Sequence, residues 1–371
     1  MNKRYKVLVF IHSNLRHLPQ KSEIFILIFL LKENQMIKEI PAVFGSVFAP
    51  DMPVAKFSDG KWQETVWQSS NKLELHPACH CLHYGSEIFE GMKAFRHADN
   101  SIHIFQLDAG VERMRKSAAS LYLPVPDAEQ MKNMIIEAVR RGNEFVPDSR
   151  GAMYIRPTLL GTEAIVGAAG HPSHEAMLYI LVSPVGDYFK QGSQLRIYVE
   201  TEHQRCAPHM GSIKTGGNYA AALPWTMIAE EKYNAQQVLF CPNGDVQETG
   251  ASNFILIDGK TLITKPLTSE FLHGITRRSI LQVASDNGYA VDERNFTVAE
   301  IKEKIQNGAE AILTGTAAVL SPVTVFIIDE QEIKVQKQDE ALKLRKFITD
   351  IQYGLAEDKH SWLTKVGVFT A

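Results

Sequence analysis

Four short stretches of this chain carry residue types that can do chemistry. The first, His76-Pro77-Ala78-Cys79-His80-Cys81-Leu82-His83, concentrates histidine and cysteine, both of which ligate metals. Read as a strand, it sends Cys79 and Cys81 to the face opposite His76 and His80, so a structural role is expected and metal binding is the alternative. The second, Gly211 to Tyr219, holds Lys214 among small residues. It lacks the order of a Walker-type phosphate loop, whose lysine directly follows the second glycine. A lysine is nucleophilic only when neutral, and partial burial can favour that state, although a lysine beside glycines is also an ordinary loop residue. The third, Gln247 to Asn253, offers the carboxylate of Glu248 at the edge of a strand, where it could meet a protonated ring nitrogen or simply sit exposed in a turn. The fourth, Leu272 to Ser279, opens a helix whose free amides suit a phosphate, or whose Thr276 is an ordinary cap.

These stretches hang on a mixed set of elements. Met131, Met134, Ile135 and Val139 recur at helical spacing between Pro126 and Gly142, with Asp127 and Gln130 as a cap and its partner and Gly142 as the stop. Ile280, Leu281, Val283 and Ala284 give the fourth stretch an apolar helical face that ends at Gly288. Strands are expected at residues 102–107, 177–185, 195–199 and 237–241, which are rich in branched and aromatic side chains. Phe254 to Ile257 and Thr261 to Thr264 flank Asp258-Gly259, a hairpin signature.

With 371 residues the chain exceeds the usual size of a single core, and no repeat is visible. The expected division is a smaller domain over 36–184, a linker over 185–194 and a larger domain over 195–371. Hydrophobic residues at 45% and charged ones at 22% place it among globular proteins. A formal net charge of -3 argues against electrostatic capture of nucleic acid or an anionic membrane and favours a small, locally held substrate. The four cysteines have neither paired metal-ligand spacing nor disulfide-scaffold density, which reads as reduced, intracellular thiols. The apolar run from Ile24 to Leu31 is shorter than the about 20 residues that span a bilayer, and interruptions by His12, Arg16, His17, Lys21 and Glu23 do not suit a signal peptide. Residues 1–35 are expected to be an N-terminal extension upstream of Met36, one that need not belong to the native protein.

Taken together, the ordered motifs resemble the branched-chain aminotransferases, pyridoxal-phosphate enzymes of the type shared with D-amino acid aminotransferases. The matching stretches are Leu82 to Gly85, Phe89 to Phe95, Glu112 to Met114, Met153 to Pro157, Lys214 to Tyr219, Glu248 to Asn253, Gly274 to Arg277 and Thr314 to Ala318, and similarity runs from about residue 40 to Gly354. The resemblance implies an α+β fold of type IV, with a smaller N-terminal α/β domain and a larger C-terminal domain whose mainly β core is flanked by helices. It also implies a homodimer, pyridoxal 5'-phosphate as cofactor, no metal, and reversible transfer of the amino group of L-leucine, L-isoleucine or L-valine to 2-oxoglutarate, giving L-glutamate.

Carried across residue by residue, the resemblance makes Lys214 both the covalent anchor of the cofactor and the base that moves the α-proton. Lys93, in a motif whose family role is structural, is its weaker competitor. Glu248 matches the partner of the ring nitrogen and Tyr219 that of the ring hydroxyl. Arg113, Ile275, Thr276 and Thr316 match the phosphate cradle, and Leu272 the residue against the ring. Tyr154, Ala317 and Ala318 match the seat of the substrate's α-carboxylate. Phe48, Tyr84 and Phe89 match apolar walls, where each buried methylene is worth about 0.8 kcal/mol. Arg156 matches the residue that can serve the distal carboxylate of glutamate.

Two departures stand out. The Cys-x-x-Cys switch of mammalian members is replaced by Ala318 and Ser321, and Pro224 falls inside the helix expected after Tyr219, where it can kink the axis. The rival readings are a D-amino acid aminotransferase or aminodeoxychorismate lyase on the same fold, and a non-enzymatic metal or redox protein built on the histidine cluster.

Overall fold

The computed structural model describes residues 40–148, 151–186 and 194–369. The expected extension over 1–35 and all but the ends of the expected linker lie outside the described residues.

The first part is built on strands β1 (Asp51–Ser58), β2 (Lys61–Trp62), β3 (Val66–Ser69), β4 (Glu87–Phe89), β5 (Met92–Arg96), β6 (Ser101–Phe105), β7 (Ala152–Gly161) and β8 (Ala176–Val185), with helices α1 (His80–Tyr84), α2 (Leu107–Ser120) and α3 (Ala128–Arg141). Antiparallel pairing joins them in one sheet, whose outer edge is a strand contributed by the chain's last segment. Pro157, which has no amide to donate, sits where the partner of β7 changes from β4 (Phe89 opposite Thr158) to β5 (Met92 opposite Ile155). That handover leaves Glu90 and Gly91 outside both strands, at the edge of the site.

Helix α3 buries the expected stripe of Met131, Met134, Ile135 and Val139, with Ala138 beside it, and Asp127 caps it by accepting the Gln130 amide at 2.8 Å. With Val111 and Met114 of α2 these side chains cover Ile88, Met153, Ile155 and Leu178 of the sheet. Each such burial stabilises by roughly 1.5–3 kcal/mol relative to exposure.

The second part has β9 (Arg196–Glu200), α4 (Gly216–Tyr233), β10 (Gln237–Phe240), β11 (Asn253–Asp258), β12 (Thr261–Thr264), α5 (Ile275–Asp286), β13 (Ala290–Glu293), α6 (Val298–Gln306), β14 (Glu310–Gly315), β15 (Val319–Pro322), β16 (Val325–Ile328), β17 (Gln331–Lys334) and α7 (Asp339–Gln352). Two sheets, ordered β10-β9-β16-β17 and β13-β12-β11-β14-β15, form its centre. The Asp258-Gly259 hairpin is present, with Gly259 at φ 58°. The C-terminal strand β18 (Leu363–Val368) then returns to the first sheet and pairs with β6, Leu363 opposite Phe105. This is an α+β architecture, the class expected.

One expectation needs correction. The histidine-cysteine stretch is a short helix from His80, not a strand, and the Cys79 and Cys81 sulfurs lie 3.3 Å apart. Helix α4 runs unbroken through Pro224.

Candidate active site

The side chains of the second, third and fourth chemical stretches meet around a cavity of about 320 Å³. Lys214 is held by its backbone from both sides. Its amide donates to the Ser117 hydroxyl of α2 at 3.2 Å, and its carbonyl accepts the Phe89 amide at 3.0 Å. The loop before α4 is further tied by Asn218, which donates to the Met210 and Ile213 carbonyls, and by Glu87, which accepts the Gly216 amide. Burial pushes the Glu87 carboxyl above the ordinary glutamate range. The Lys214 amine itself enters the cavity, donates to the Tyr219 hydroxyl at 2.7 Å and lies 4.6 Å from the centre of the Phe89 ring.

Glu248 stands at another wall, 3% exposed. Oε1 accepts the Leu272 amide at 2.9 Å, and Oε2 accepts Nδ2 of Asn253 at 3.0 Å. Burial raises its proton affinity, against the pull of the Arg205 guanidinium. Asn253 also donates to the Leu272 carbonyl, which fixes the turn into α5. Gly274 is required there, because a Cβ at that position would fall 1.8 Å from Oδ1 of Asn253.

Gly274 caps α5 without a side-chain bond, so the first amides of the helix, at Ile275 and Thr276 on the cavity wall, have no partner within the helix. Arg113 approaches the same end, clamped by both carboxylate oxygens of Glu90 and donating to the His273 carbonyl at 3.1 Å. Thr316, Ala317 and Ala318 line the cavity beyond. Val319, directly after them, holds φ 58°, a left-handed conformation that is strained for a β-branched residue. The Lys93 amine does not line this cavity; it donates to the Ala317 carbonyl at 2.8 Å and thereby holds the turn.

Tyr154, Arg156 and Phe89 complete the rim. Arg156 donates to the Tyr154 hydroxyl at 2.9 Å and stacks over Phe89 at 4.5 Å, while its buried Nε has no hydrogen-bond partner. The structure does not bring Phe48 or Tyr84 into this cavity. Phe48 is 44% exposed, and Phe44 takes the wall position instead, edge-on to Tyr154 at 5.1 Å. Tyr84 points to another loop, where its hydroxyl accepts the Gly167 amide at 2.7 Å. The histidine cluster is likewise engaged elsewhere. His80 bonds Ser86 and the carbonyls of Ala168 and His171, and His83 bonds the Pro77 carbonyl. Among the described residues no group of three or more His, Cys, Asp or Glu is arranged to hold a metal.

The donor set fits a phosphorylated pyridine aldehyde. An amine is central, a buried carboxylate waits on one side, and a guanidinium with free helix amides marks the other end. Thr314 Oγ1, on the same wall, is a buried hydroxyl still lacking a partner.

Comparison with known proteins agrees. The family model for amino-transferase class IV matches residues 87–326, and the chain belongs to that class. Its relatives narrow the assignment. It is 35% identical over 338 residues to the cytosolic branched-chain-amino-acid aminotransferase of Saccharomyces cerevisiae, covering 85% of this chain and 89% of the relative. It is 35% identical to the chloroplastic branched-chain-amino-acid aminotransferase 5 of Arabidopsis thaliana, covering 83% and 75%. The crystal structure of the branched-chain aminotransferase from the thermophilic archaeon Thermoproteus uzoniensis with norvaline superposes with a TM-score of 0.70 at 25% identity, covering 85% of this chain and all of that one. Within class IV, therefore, the chain is a member of the branched-chain aminotransferase family, pyridoxal-phosphate-dependent transaminases.

Proposed function

We propose that this enzyme moves the amino group of L-leucine, L-isoleucine or L-valine to 2-oxoglutarate, with pyridoxal phosphate carried on Lys214. The observation that carries the reading is the pairing of an apolar wall, Phe44, Phe89 and Leu272, with the Arg156 guanidinium, whose Nε is buried and unpartnered and which lines the same cavity as Lys214. An aliphatic side chain gains from the wall, and the distal carboxylate of glutamate gains from Arg156. The cofactor bound here supplies a protonated ring that accepts the electrons released when the α-proton leaves.

The chain's own residues do the rest. Lys214 takes and returns the proton at the substrate's α-carbon. Tyr219, in contact with its amine, orients that amine and meets the ring hydroxyl. Glu248 holds the positive charge on the ring nitrogen. Arg113, the amides of Ile275 and Thr276, and Thr316 hold phosphate. Tyr154 with the Ala317-Ala318 turn receives the α-carboxylate. Holoenzyme colour lost in Lys214→Ala, and bleached in the native protein by L-leucine but not by D-alanine, tests this reading; D-alanine as the better donor refutes it.

A homodimer is what the family resemblance implies and a cytoplasmic location is what the sparse, unpaired cysteines suggest; light scattering and cell fractionation test the two. Among the described residues no helix is long and apolar enough to cross a membrane. We place the boundary between a small domain, 36–184, and a large one, 195–371, around 185–194, supported by the end of β8 at Val185 and the start of β9 at Arg196.

A further inference from the structure

Arg205 is absent from the cavity wall and from every motif that pointed to the site, yet it is only 4% exposed. Its Nε lies 2.8 Å from Oε1 of Glu248, without the alignment of a hydrogen bond, so the contact is chiefly one of charge. Its Nη2 donates to the Gly211 carbonyl at 3.0 Å. Gly211 begins the loop that carries Lys214, and it is pressed so closely on the backbone at Glu270 that a Cβ would fall 2.0 Å from the carbonyl carbon. The next amide, of Ser212, donates to Ser269 at 3.0 Å. One guanidinium therefore touches both the carboxylate intended for the ring nitrogen and the base of the loop that delivers the amine.

The other partners of Glu248 are neutral: one backbone amide and one side-chain amide. The charged groups that face it are Arg205, Lys214 and Arg113, of which Arg205 exerts the strongest pull. A desolvated carboxyl with only neutral donors takes up a proton, and a protonated Glu248 has no charge to offer a ring cation.

We propose that Arg205 is a positioning residue of the transamination site, holding Glu248 in place and anionic while anchoring the Lys214 loop through Gly211. The inference rests on the reading of Lys214 and Glu248 given above. It assigns Arg205 no contact with cofactor or substrate.

The test is a double-mutant cycle on holoenzyme: Arg205→Met, Glu248→Gln and the pair, with the dissociation constant of pyridoxal phosphate read from absorbance across the pH range in which the native enzyme stays folded. Arg205→Met is expected to weaken capture roughly 10- to 100-fold at neutral pH, as loss of a buried counter-ion does, and to recover as pH rises and Glu248 ionises. In the Glu248→Gln background the same change is expected to cost clearly less, leaving only the share that comes from the lost Gly211 anchor, since the charge partner is gone. Arg205→Lys keeps the charge and loses the reach to Gly211, so its pH profile should stay that of the native enzyme while turnover falls. A pH-independent loss in Arg205→Met, an undiminished loss on top of Glu248→Gln, or a shifted profile in Arg205→Lys overturns the proposal, and the lysine variant decides the matter should the methionine variant not fold. Failure of the native protein to bind the cofactor would instead overturn the underlying functional reading.

Discussion

Replacing Arg156 by methionine removes a charge while keeping an unbranched stem over Phe89, on which the guanidinium now stacks at 4.5 Å. In the native pocket the buried Nε has no hydrogen-bond partner, and the proposed function gives it the distal carboxylate of glutamate. A hydrogen bond to a charged group is worth about 1.5–3 kcal/mol, and the upper part of that range applies where the carboxylate would otherwise face Phe44 and Phe89 unpaired. At about 1.4 kcal/mol per tenfold, a loss of about 2–3 kcal/mol lowers kcat/KM for L-glutamate roughly 30- to 150-fold. L-Leucine has no distal charge, so its kcat/KM should change less than about threefold, within the tolerance of a shape-conserving apolar replacement. Steady-state assays with each donor against the opposing 2-oxo acid give both numbers. Equal losses with the two donors would show that Arg156 shapes the pocket or serves the α-carboxylate, and would refute the assignment.

Lys214→Ala should abolish the visible absorbance and reduce turnover by several orders of magnitude while leaving the melting temperature of the apo protein within a few degrees, because the half-buried amine contributes one hydrogen bond to the fold. Glu248→Gln should lower kcat by more than the roughly 10- to 100-fold it costs in cofactor affinity, measured by single-turnover kinetics against spectral titration; an affinity loss with turnover intact would make Glu248 an anchor rather than an electronic partner. Gly211→Ala, whose new Cβ meets backbone rather than a movable side chain, should destabilise by at least about 3 kcal/mol, read as a fall in thermal midpoint. Burial, reinforced by Cys79, pushes the Cys81 thiol up to about 12, so its alkylation by iodoacetamide should be slow at neutral pH and rise about tenfold per pH unit toward that value; a rate that levels off near pH 8 would contradict it.

Much of the site was legible because its contributors sit at element boundaries that announce themselves. The small residues around Lys214, the glycine before α5 and the turn after β14 each mark a place where the backbone must approach something closely or leave amides free. What the sequence hid is of two kinds. Phe44 and Phe48 lie in an irregular segment with no periodicity to say which ring turns inward, and the packing of Tyr154 chose Phe44. Arg205 is bound to its site by a contact between distant stretches of chain, with no local pattern to reveal it. The histidine-cysteine stretch misled in a third way: its alternation suits a strand, but Cys79 pairs with Ala164 only as an isolated bridge and the chain turns at once into α1, closed by Gly85 in a left-handed conformation.

The return of β18 to β6 has a bearing on how the molecule is made. The open edge of the first sheet, Ser101–Phe105, must wait for Leu363–Val368 to leave the ribosome before it is covered, so most of the polypeptide emerges while that edge stands available to any other unpaired strand. Loss of the last ten or so residues would therefore be felt first as misassembly during biosynthesis, at a surface far along the sequence from the lesion itself.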